Sequence, residues 1–138
     1  MDVEVAYNMN IINKIKLIPD LNYIGGCTDE QIVDAEKKLN ISFPDEYKQY
    51  LKEFGCIDFD ATEFTGLGID GELNVVEATL AERKYNSNFP KDCFVLDDYH
   101  IDNVKIIVNE AGKVLIIQND VIKPMCDSIS DYLDRLIQ

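Results

Sequence analysis

Three short stretches of this chain carry side chains whose types and spacing could do chemistry. Asp58-Phe59-Asp60-Ala61-Thr62 fits the D-x-D-x-T loop in which one carboxylate attacks phosphorus beside a magnesium ion. Such a loop follows an apolar strand and needs a Lys to hold the phosphate, whereas a helical segment closed by Gly55 precedes it here. Gly66-Leu67-Gly68-Ile69-Asp70-Gly71 fits G-x-G-x-x-G. Dinucleotide binding needs those glycines between a buried parallel strand and a helix. The run before them, Asp60 to Thr65, is too polar for that strand, and the acidic surroundings repel a pyrophosphate, so turns are the better account. Asp97-Asp98-Tyr99-His100 holds the single histidine of the chain, so Cys-His or Ser-His catalysis would pass through His100, with Asp97 to orient it. No nucleophile stands at a spacing that pairs with it, and a lone histidine is more often a surface or structural residue.

Cysteine chemistry is equally thin. Cys27, Cys56, Cys93 and Cys126 are spread almost evenly, with no Cys-x-x-Cys, and with one histidine a zinc site would need all four in an unusual arrangement. The N-terminal MDVEVAYNMN lacks a basic region followed by an apolar run, so the expectation is a cytoplasmic protein with reduced, structural thiols. No stretch approaches the ~18 apolar residues of a membrane span. The expectation is a protein that is not an enzyme and uses no cofactor or metal.

Charge is the stronger signal. The net charge is −13, from 26 acidic and 13 basic residues. Residues 56–103 hold 11 acids and 3 bases, a net of −8, and Asp58 to Glu82 contains seven acids and no base. Nucleic-acid affinity comes mainly from Lys and Arg on phosphates, so direct nucleic-acid binding is excluded. A basic protein would be attracted and its encounter accelerated. The plainer account is a solvated face that aids solubility.

The elements that must position these residues follow from local chemistry. At 138 residues and 46% hydrophobic content, the chain fits one globular domain over residues 1–138. An opening helix is expected over about 3–17, with Val5, Met9, Ile12 and Ile15 apolar and Pro19-Asp20 ending it. Thr28 with Gln31 forms a capping pair for a second helix, whose stripe is Ile32, Ala35 and Leu39. A third helix starts at Pro44, presents Tyr47, Tyr50, Leu51 and Phe54, and stops at Gly55. A short helix is expected over 76–86. Strands are expected at Phe94–Leu96, Val104–Val108 and Val114–Ile117, the last two joined by a turn at Asn109 to Gly112. Ser128 with Asp131 caps a final helix bearing Ile129, Leu133, Leu136 and Ile137. The class is α+β: N-terminal helices, a central, mainly antiparallel sheet and a C-terminal helix.

The series Thr28, Ile32, Glu36, Leu39, Ile41, Phe43, Pro44, Tyr47, Leu51 and Gly55 resembles the opening pattern of the SUKH superfamily, the Smi/Knr-type domain. Asn40 stands where the family usually has Gly, and it too tolerates positive φ. The likeness continues more loosely through Gly66-Leu67, Cys93 to Asp97, Gly112 to Val114 and the final helix. The resemblance implies an immunity protein that binds and neutralises a cognate toxin domain, very often a nuclease. The alternative it implies is a non-catalytic interaction or regulatory module with an endogenous partner. The family brings no catalytic motif. Charge density and loop aromatics select Asp58, Phe59, Asp60, Glu63, Asp70, Glu72, Asp97, Asp98 and Tyr99 as the partner-binding face.

Overall fold

The computed structural model describes residues 10–137. Helix α1 (Ile11–Lys16) is capped by Asn10 and buries Ile11 and Ile15. Within the opening helix expected over about 3–17, residues 11–16 form α1, and Val5 and Met9 lie outside the described residues. Helix α2 (Asp29–Leu39) has the reciprocal capping box of Thr28 and Gln31, and ends at Asn40 in the left-handed conformation (φ 55°, ψ 45°). Helix α3 (Asp45–Phe54) starts one residue later than expected, because Pro44 is extended (ψ 154°) and serves as the N-cap. Gly55 closes it at φ 75°.

Glu36 locks the link between these two helices. Its Oε2 accepts from the Phe43 backbone N–H at 2.8 Å and lies 3.7 Å from Lys48 Nζ. Ile32, Ala35, Leu39, Tyr47, Tyr50, Leu51 and Phe54 enter one core. Phe43, Tyr47 and Phe94 cluster with ring centroids 4.4–5.0 Å apart. Each such pair contributes roughly 0.5–1.5 kcal/mol beyond area burial.

Two antiparallel sheets follow. The first joins β1 (Asn22–Tyr23), β2 (Ile57–Phe59) and β3 (Thr62–Glu63) in that order. The second is a meander of β4 (Cys93–Asp98), β5 (Val104–Asn109), β6 (Val114–Gln118) and β7 (Val121–Cys126). Strands β1, β2 and β7 were not expected from the sequence. Helix α4 (Val75–Tyr85) packs on β4, and α5 (Ile129–Leu136) packs on α1, α3 and β7. The meander separates two apolar clusters. Phe94, Leu96, Ile106, Val108 and Val114 join the core residues of α1, α2, α3 and α5. Val95, Ile107 and Ile117 face the other way, toward Phe89 and Ala78.

The outer edge of β4 is closed by side chains as well as backbone. Val95 N–H donates to Thr79 Oγ1 at 3.0 Å, and Val95 O accepts from Thr65 Oγ1 at 2.7 Å. Thr65 N–H donates to Leu96 O at 2.8 Å. Tyr47 and Tyr50 both donate their hydroxyls to Thr65 O, at 3.1 and 2.8 Å. Burial pushes both phenols well above their ordinary pKa, so they stay protonated and serve as donors. The chain reaches this junction through Gly66, where a Cβ would sit 1.9 Å from Gly55 O. Only glycine allows that crossing.

Candidate functional site: an acidic cleft beside helix α4

A register shift in β4 decides which carboxylates face solvent. Val95 pairs with Ile107, but Asp97 rather than Leu96 pairs with Ile106, so Leu96 is an extra residue. Such a bulge reverses the alternation beyond it. Asp97, which strict alternation puts on the Val95 face, turns into the core. Asp98 pairs with Lys105 on the opposite face.

That face forms one side of a cleft of about 410 Å³. The other side is α4 and the 3-10 turn Gly71–Leu73 that leads into it. Asn74 sets the helix there, its Oδ1 accepting from Val76 and Glu77 N–H. Leu73, Ala78, Ala81 and Val95 give the cleft an apolar lining. Glu63, Glu72, Glu77, Glu82 and Asp98 supply five carboxylates, with His100 and Lys105 beside them. Lys105 Nζ is 2.8 Å from Glu82 Oε1 and 3.8 Å from Asp98 Oδ2, and its side chain is only 17% exposed. His100 Nδ1 is 3.7 Å from Asp98 Oδ2, so its neighbour is Asp98 and not the expected Asp97. Glu77 accepts from Gly71 N–H at 2.6 Å. Among the described residues Glu63, Glu72 and Glu77 have no cationic partner within 4 Å.

The nine residues expected at the face therefore separate. Glu63, Glu72 and Asp98 meet in the cleft, and Asp70 precedes its Gly71. Asp58 lies opposite Glu63 in the β2–β3 ladder and accepts from Asn22 Nδ2 at 2.8 Å. Asp60 is in the connecting turn at φ 50°. Two expectations are corrected. Phe59 is a core residue, 4% exposed, because β2 turns it inward to pack with Phe64. Asp97 is buried, accepting from Tyr132 OH at 2.9 Å. Burial raises its carboxyl to about 6, against the opposing pull of that hydrogen bond. Tyr99 remains at the surface, with its hydroxyl 3.0 Å from that of Tyr132.

Glu77, Glu82 and Lys105 were missed. Glu77, Ala78, Ala81 and Glu82 share one helical face by their i, i+4 spacing, a pattern legible once α4 is assigned. Lys105 had no local signal, since only the bulge brings it beside Asp98.

The cleft gathers negative charge over an apolar lining, which suits holding cations. Cys56 and Cys93 are free thiols pushed by burial to about 11 and about 12, far from a reactive thiolate. Among the described residues no three His, Cys, Asp or Glu side chains gather as a metal site would require. No helix there is long and apolar enough to cross a membrane. A family model, SUKH_5, described as SMI1-KNR4 cell-wall, matches residues 9–138. No curated protein matches the chain.

Proposed function

The chain belongs to the SMI1-KNR4 family, and from that premise we propose that it is an immunity protein, one that binds and neutralises a basic cognate toxin domain. The observation that carries this reading is the set of carboxylates that have no cationic partner among the described residues, around one concave, partly apolar surface, in a chain of net charge −13. A nuclease domain grips phosphate with Lys and Arg, so an acidic inhibitor is its electrostatic complement. Long-range attraction speeds encounter, and contacts with the apolar lining slow escape. The reading requires no catalytic step, no cofactor and no contact with nucleic acid. It places the protein in the cytoplasm, where it would meet the toxin.

The family description also names the cell wall, which favours a second reading, a regulatory module with an endogenous partner. Capture from the native host at low and moderate salt, read by mass spectrometry, separates the two. Immunity predicts one basic partner with a nuclease-like domain, retained at moderate salt. Endogenous envelope or regulatory proteins in its place would establish the module. Against a captured toxin, reversing Asp58, Asp60, Asp70 and Glu72 to Lys should slow association at least about tenfold at low salt, and the gap should narrow as salt rises. An unchanged association rate would remove this surface from the interaction.

A further inference from the structure

We infer that the cleft between α4 and β4 receives one arginine side chain projecting from a basic partner. The inference deepens the reading above and rests on it for the partner's charge.

The cleft already shows how it takes a long cationic side chain. Lys105 lines it, and its ammonium is fixed by Glu82 and Asp98 with little exposure. That pairing uses two of the five carboxylates. Glu63, Glu72 and Glu77 also line the cleft and have no cationic partner among the described residues. Leu73, Ala78 and Ala81 provide apolar surface for an aliphatic stem. A volume of about 410 Å³ accommodates a side chain and excludes a folded element. Arginine suits the site better than lysine. Its guanidinium is planar and weakly hydrated, lies flat on apolar surface, and offers a fork of donors to several carboxylates at once.

The test uses capped pentapeptides carrying one central Arg, Lys or citrulline, titrated into the full chain at 0.1 M salt. Methyl NMR signals of Leu73, Ala78, Ala81 and Val95 provide the readout. The Arg peptide should shift these signals saturably, the Lys peptide should bind more weakly, and the citrulline peptide should leave them unmoved. Glu63→Gln with Glu72→Gln should weaken the Arg peptide about tenfold or more. Asp58→Asn with Asp60→Asn, which removes the same charge outside the cleft, should change it less than about twofold. The spectra themselves show whether each variant is folded. Equal losses in the two variants, matching shifts from citrulline, Lys binding as tight as Arg, or Arg shifts confined to other surfaces would each overturn the inference. If a basic toxin is captured equally by the parent and by the Glu63, Glu72 variant, the immunity reading stands and the cleft inference fails. If saturable Arg binding is present and no basic toxin is found, the cleft inference stands and the immunity reading fails.

Discussion

Tyr132 donates its hydroxyl to Asp97 Oδ2 across 2.9 Å, joining α5 to the core-facing side of β4. The carboxylate it reaches is 3% exposed. Burial lifts this group from 3.8 to about 6, with the hydrogen bonds from Tyr132 and the Asp98 N–H opposing the rise. The folded protein thus holds this proton more tightly than the unfolded chain. Its contribution to stability is full below about pH 4 and is lost as pH rises through about 6. Asp97→Asn keeps an acceptor for Tyr132 and removes the titration. Denaturant unfolding should find the variant close to the parent at pH 4 and more stable by roughly 1–3 kcal/mol at pH 7.5. A parent-to-variant difference that is the same at both pH values would show that this carboxyl titrates normally.

Glu46 joins the hairpin to the C-terminal helix. Its two carboxylate oxygens accept from the Ile129 and Ser130 N–H groups at 2.9 and 3.1 Å, at the start of α5. The helix dipole favours this charge, and Ser128 adds a local cap on Asp131. Glu46→Ala should cost about 1–3 kcal/mol in urea unfolding, and Glu46→Gln less. A loss below a few tenths would mean that water caps α5 equally well.

Gly66 offers a steric test. Gly66→Ala places a methyl group 1.9 Å from Gly55 O and 2.9 Å from Cys56 Cα, so backbone must move. Loss of more than about 2 kcal/mol, or failure to fold, is expected. Gly71→Ala meets nothing within 4 Å but holds φ 88°, which should cost about 1 kcal/mol. Equal thermal midpoints for the two variants would contradict the crossing.

The thiols should divide by accessibility. Burial raises all four, and Cys56 and Cys93 are the most enclosed. Iodoacetamide at pH 8 should label Cys27 and Cys126 first, and Cys56 and Cys93 only on unfolding. Peptide mass spectrometry reads the order. Cys93 labelled as fast as Cys126 would show that its face of the sheet opens readily.

The helical hairpin was legible because its instructions are local. Thr28, Gln31, Asn40 and Gly55 act within a turn of where they stand. The structure also explains two positions of the family-like pattern. Glu36 locks the link between α2 and α3, and Tyr47 ties α3 to Thr65. Strands β1 and β2 were not legible because two or three residues carry no period. Strand β7 was hidden by Pro124, which interrupts a strand pattern yet is tolerated on an outermost strand. The acidic cleft was half legible. Composition located the acidic segment, but the inserted Leu96 exchanged the directions of Asp97 and Asp98, and a bulge leaves no mark in a run such as Phe94-Val95-Leu96-Asp97-Asp98.

The hydroxyls of Thr65 and Thr79 occupy the peptide groups of Val95 that another chain would need in order to add a strand to β4. Polymerisation by templated backbone pairing is closed at this side of the meander. At the far side, Lys123 and Pro124 make a poor template for it. A molecule held at high concentration therefore has little means of growing fibres from its larger sheet. Any recognition beside β4 would proceed through side chains, so partners there could change one substitution at a time without disturbing the strand beneath.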